Sequence, residues 1–185
     1  MNNIAMLERI GIRHALLSAI LFIPFLVATL QFWGPWFEQQ YGAQALDLAL
    51  GLDATQVHDY LTRYGESGRQ MYLWFFLFDF FLPLFGAIMV GTWWLVLLKW
   101  IFPAEPKYWF LAAIIAAVPM LADWCENLGF LMQLIYFPEQ SALLGASTLI
   151  ATKIKLFTLT LAQGGFFAVL TIFYCLRLSR KSRDD

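Results

Sequence analysis

Apolar residues run almost unbroken through four stretches of this chain, roughly 14–34, 72–98, 108–136 and 150–176, with most polar residues gathered between them. A helix rises about 1.5 Å per residue and needs about 20 apolar residues to cross a bilayer. Each stretch meets that length. The pattern predicts an all-α membrane protein, a single domain over 1–185 built as a four-transmembrane-helix bundle, with an outer loop at 35–71. The first stretch differs from a signal peptide: its apolar core is too long, and no small-residue cleavage site precedes "QFWGPW". It is expected to be retained, with Trp33 and Trp36 in an interfacial aromatic belt.

The 35–71 loop is too long to lack structure of its own. Asp53 suits a helix N-cap and Gly65 a left-handed helix end, bracketing "ATQVHDYLTRY". Val57, Tyr60, Leu61 and Tyr64 then share one apolar face. A short extracytoplasmic helix lying over the outer mouth of the bundle is expected, as packing or as a lid. "PAEP" at 103–106 makes the second and third spans antiparallel neighbours. Pro138 in "FPEQS" ends the third span, and a helix beginning in 141–150 runs into the fourth.

Composition agrees with the pattern. The 185 residues are 61% hydrophobic, 18% aromatic and only 14% charged, with mean hydropathy +0.65, where a soluble domain is nearer half apolar and a quarter charged. Lys and Arg are distributed unevenly. Arg9 and Arg13, Lys99 and Lys107, and Arg177, Arg180, Lys181 and Arg183 fall on one side. The outer loop holds only Arg63 and Arg69 among five acidic residues. The positive-inside rule puts both termini in the cytoplasm, in a bacterial inner membrane, and the acidic loop outside. A net charge of −1 gives no case for nucleic acid, and a homo-oligomer is compatible with the chain. Cys125 and Cys175 form no CxxC and are expected to be small buried apolar residues rather than a redox pair.

The spans are not uniformly apolar. "ADWCENLGF" places Asp123, Glu126, Asn127 and Phe130 at i, i+3, i+4 and i+7, on one face of the third span. Asp79 lies in the second span, with Tyr72, Pro83 and Gly86 on its broad face, and Lys155 in the fourth. Helical rise puts Asp79 about 12 Å, Glu126 about 15 Å, Asp123 about 20 Å and Lys155 about 6–9 Å below the outer surface. Ionised groups facing lipid cost a few kcal/mol each, so these residues are expected to line one interior cavity. Three carboxyls against one ammonium in a low dielectric predict that at least one carboxyl stays protonated. Glu126 or Asp123 is then a candidate general acid, Asp79 and Asn127 its orienting or proton-accepting neighbours. Lys155, Arg69 and Tyr72 are candidates to hold a polar or anionic head. The bland alternative is an interhelical ion pair with Asn127 as glue. No cofactor is implied. His14 and His58 sit near opposite surfaces and cannot share a metal, and no phosphate-cradling loop or Ser nucleophile motif is present.

The order "YGESGRQMYLWFFLFDFFLP", "DWCEN", "TKIK" resembles a group of small four-span bacterial membrane proteins, across about two-thirds of the chain. That resemblance implies the four-span fold and brings no activity. The architecture is also similar to the four-helix emopamil-binding sterol isomerases, which use intramembrane acids, but their His and their spacings are absent here. The expected function is acid–base chemistry on, or binding of, a lipidic or isoprenoid molecule. The alternatives are a proton or cation channel or transporter using the same carboxylates, and a structural or assembly subunit of a membrane complex.

Overall fold

In the computed structural model, which describes residues 3–49, 51–139 and 141–184, all regular structure is helical. The side chains of Arg180, Lys181 and Arg183, part of the basic tail counted above, lie outside that description. A short α1 (Asn3–Arg9) precedes the first long helix, which is α2 (Ile12–Ala28), a π-helical turn (Thr29–Trp33) and α3 (Gly34–Tyr41) in one continuous run. The run therefore passes residue 34, where the apolar pattern suggested a stop, and continues to Tyr41. Pro35 has no N–H to give. The π turn absorbs the fault: Gly34 N–H bonds five residues back to Thr29 O, and the chain stays helical through the proline. The helix ends where Gly42 takes a left-handed φ of 76° and its N–H reaches Glu38 O at 2.8 Å.

The second long helix comprises α4 (Ala54–Asp79) and α5 (Leu82–Ile101). Asp53 caps its start: Asp53 Oδ1 accepts from Gln56 N–H at 2.8 Å, and Gln56 Oε1 accepts from Asp53 N–H at 2.8 Å. Gly65, at φ 63° and ψ −174°, kinks α4 in a region open only to glycine. Residues 54–64 thus form the expected short capped helix, with Val57, Leu61 and Tyr64 buried and Tyr60 half-buried. A 3₁₀ turn (Pro106–Phe110) leads into α6 (Leu111–Ile135), and α7 (Ala142–Asp184) completes the chain.

Sequence neighbours are spatial neighbours: α2 packs on α5, α5 on α6 and α6 on α7, in an up-and-down bundle. Four helical runs, Ile12–Tyr41, Thr55–Ile101, Pro106–Ile135 and Ala142–Ser179, are long and apolar enough to cross a membrane. Their outer faces are apolar, with Ile20, Leu21 and Phe157 each about two-thirds exposed. Cys125 and Cys175 lie unpaired on this exposed surface rather than buried. Cys125 sits beside Glu126 but points away from the face that Ala122, Glu126 and Gly129 bury.

Two apolar cores fill the bundle. At the end that carries the 42–53 segment, Phe37, Leu46, Leu61, Tyr64, Tyr72, Phe76 and Phe130 pack together. At the opposite end the core is Val90, Trp94, Leu97, Trp109, Ala112 and Ala162. There Trp94 Nε1 donates to Ala162 O at 2.8 Å. Lys99 Nζ donates to the carbonyls of Leu7, Glu8 and Ile10 at 2.5, 3.0 and 2.6 Å, which ties the C-terminal end of α1 to the bundle. Asp79, Asp123, Glu126, Asn127 and Lys155 belong to neither apolar core, whereas Tyr72 is part of the first.

Candidate functional site

The buried face of α6 reads Ala112, Ala116, Pro119, Ala122, Glu126, Asn127, Phe130 and Leu134, the three-and-four spacing of a core-facing stripe. That stripe carries Glu126 and Asn127 inward on the strength of their apolar neighbours. Gly129 lets α7 come close. A Cβ there would lie 2.9 Å from both Thr148 Cβ and Cγ2, so a larger residue would push the helices apart. Gln133 Nε2 donates to Thr148 Oγ1 at 3.1 Å across the same crossing. Two turns along α7 from Thr148, Lys155 falls on the same face and reaches α6.

Lys155 is ion-paired with Glu126, which is only 1% exposed, and its Nζ lies 3.5 Å from Asp123 Oδ1. Asp123 is the more open partner, with 26% of its side chain accessible. Asp79, at the end of α4, is 4% exposed, and its Oδ2 has no hydrogen-bond partner among the described residues. The helix ladder is interrupted just beyond it, at Phe80–Phe81, because Pro83 cannot return an N–H to the Asp79 carbonyl. Trp124 braces the interruption: its Nε1 donates to Phe80 O at 2.9 Å and its ring stacks on Phe80. Asn127 is fully buried, with neither amide atom hydrogen-bonded among the described residues.

A fourth carboxyl joins this group. Asp47, in the turn after Gly42, bonds twice to Tyr72. Tyr72 OH donates to Asp47 Oδ1 at 2.7 Å, and Asp47 N–H donates back to Tyr72 OH at 3.1 Å. Burial pushes the Asp47 carboxyl above its usual range, against the Tyr72 bond and the charge of Lys155, both of which favour the anion. It is within electrostatic reach of Lys155 and Glu126, so its charge state bears on theirs. Tyr64 OH, donating to the Gln44 carbonyl, fixes the other side of the turn.

The expectation of one cavity lined by five polar residues is corrected in part. A cavity of about 140 Å³ lies at the centre of the bundle, and all four long helices contribute to it through Phe22, Pro83, Met120 and Leu159 among others. Asp123 and Lys155 line it. Asp79, Glu126 and Asn127 are packed in the protein interior without lining it. Tyr72 is likewise fully buried and engaged with Asp47. Arg69 stands apart from the cluster. Its Nη1 donates to Leu61 O at 2.9 Å, in the last turn before the Gly65 kink, and its guanidinium lies 4.2 Å over the Phe137 ring.

Among the described residues, no group of three His, Cys, Asp or Glu side chains is placed to hold a metal ion. His14 Nδ1 accepts from Gly11 N–H at the start of α2, and His58 stacks on Phe137. A wider groove between Phe25, Trp33, Trp36, Trp74 and Phe78 has no ionisable residue in its wall. No family model, curated protein or solved structure matches this chain, and the resemblances drawn from its sequence gain no support from those comparisons.

Proposed function

We propose that this chain is an integral membrane protein, of a bacterial inner membrane with both termini cytoplasmic, that binds a lipidic molecule and performs acid–base chemistry on it. One observation carries the reading. The cavity joins apolar walls from four long helices to a single charged pair, Asp123 and Lys155. Sites with mostly apolar walls and few polar groups are the usual form for small-molecule binding. A cavity of about 150 Å³ accommodates benzene, so about 140 Å³ suits one ring or a short branched segment. The rest of a lipid would then lie along the helix faces. Asp123 is the proton-exchanging group, because it meets the cavity. Glu126 lies behind it as the counter-ion of Lys155, and Asp79 and Asn127 stand as buried neighbours that fix the surrounding polarity.

The opposite end of the bundle favours a pocket over a relay for protons or cations. The buried polar or charged residues among those described, aromatic ones aside, are Thr29, Asp79, Glu126, Asn127, Thr148 and Lys155. None of them lies within the Val90–Trp94–Trp109 core. The decisive experiment is mass spectrometry of what co-purifies with the protein in mild detergent. A lipidic molecule retained by the unmutated chain and lost from Val90→Trp, which fills the cavity, is the expected result. No retained molecule, together with Asp123-dependent proton flux in proteoliposomes, would replace this proposal with the relay.

A further inference from the structure

The polar end of the ligand follows from the charge distribution of the site. Asp47, Asp79, Asp123 and Glu126 interact electrostatically with one another and with a single ammonium, Lys155. Lys155 is committed to Glu126, while Asp123 receives only the 3.5 Å contact and keeps 26% of its side chain accessible on the cavity wall. Even with Asp47 and Asp79 neutral, two carboxylates against one ammonium leave one negative charge, and Asp123 is where it meets the cavity. Asp79, 4% exposed and in electrostatic reach of Asp123, Glu126 and Lys155, adds a further buried acid behind the cavity wall rather than on it.

The sequence pattern suggests a polar or anionic head held by Lys155 and Arg69. Arg69 is instead fixed to the Leu61 carbonyl and Phe137. An anion at the cavity wall would meet Asp123 and would have to take Lys155 from Glu126, leaving a buried carboxylate unpaired, which is strongly unfavourable. We infer that the site selects an amphiphile with a cationic head, a protonated amine on an apolar body, over its neutral and anionic counterparts. The ammonium donates to Asp123, and the adjoining ring or branch packs among Phe22, Pro83, Val90 and Met120. The inference rests on the cavity being a binding site.

The test is a charge series at constant size. The purified full chain in a non-ionic detergent is titrated with benzylamine, benzyl alcohol and benzoate, with binding read by ligand-observed NMR and by thermal shift. Benzylamine is expected to bind at least about tenfold more tightly than benzyl alcohol, which is about 1.4 kcal/mol, with benzoate weakest. Asp123→Asn should bring benzylamine to the level of the alcohol. Benzoate binding as tightly as benzylamine, or no difference between amine and alcohol, overturns the charge selection and leaves the cavity a binding site. Failure of all three to bind overturns the binding site itself. Because the series runs on the unmutated protein, it decides the matter even where Asp123→Asn does not fold.

Discussion

Glu126→Gln separates an ionic cluster from a neutral one, because it preserves shape and removes only the charge. Glu126 is 1% exposed and paired with Lys155, itself 9% exposed. Removing one partner of a buried pair leaves the other uncompensated, at about 3–5 kcal/mol. Asp123 remains 3.5 Å from Lys155 and takes over part of the balance, which favours the lower half of that range. For a chain of this size each kcal/mol shifts the melting temperature by about 2–4 °C. The expected fall is therefore about 6–16 °C. Lys155→Met should cost a similar amount by leaving Glu126 and Asp123 side by side.

The double variant discriminates. With both charges gone, the unpaired ion that makes each single change costly no longer exists, so Glu126→Gln/Lys155→Met should recover much of the loss. The interaction energy from the cycle should reach about 2–3 kcal/mol. The assay is thermal unfolding in one detergent, with helicity and a buried Trp signal followed together. Additive single effects would refute the ion pair. A Glu126→Gln protein melting within about 2 °C of the parent would show that Glu126 is held neutral, returning it to candidacy as the general acid.

Three further outcomes are expected. In a background with Cys125 and Cys175 replaced by Ser, a cysteine at Gln44 should react with an impermeant maleimide in intact cells and one at Ser182 should not; the reverse pattern ends the proposed orientation. Gly65→Ala places a Cβ at φ 63° and ψ −174°, at a cost of about 1–3 kcal/mol, seen as a fall of about 2–12 °C in melting temperature; an unchanged melting temperature would mean the kink relaxes freely. Burial raises the Asp47 carboxyl, so its neutral form stabilises the 42–49 turn below the ordinary carboxyl range, and that contribution is lost as pH rises through the folded-state value. Amide exchange of the turn, corrected for intrinsic rate, should accelerate with pH over that window, and Asp47→Asn should flatten the profile.

Helix-borne groups and loop-borne groups differed in how far the sequence could place them, and the reason is geometric. A residue on a long helix has its depth set by a fixed rise and its face by a fixed turn. Asp79, Glu126, Asn127 and Lys155 were therefore legible as buried, with Asp123 half-buried beside them. The helix over 54–64 was legible for a similar reason, since Asp53 and Gly65 act through local backbone chemistry. Pro35 misled because its local effect was answered locally, by a π turn that no propensity at Thr29–Trp33 announces. Arg69 misled because a long side chain can go either way, and the carbonyl of Leu61 together with the Phe137 ring drew it from the cluster.

Asp47 carried no signal at all. In sequence it is one of several acids in a polar loop, and nothing local distinguishes it from Glu38 or Asp59. Its distinction is tertiary: Gly42 turns the chain back, Leu46 enters the core beside it, and Tyr72 from α4 meets its carboxylate. This is also why the charge count made on the spans alone was incomplete. With three carboxyls against one ammonium, neutralising one acid and adding a cationic ligand head would balance the cluster; Asp47 adds another titratable carboxyl from the loop, which burial holds toward its neutral form.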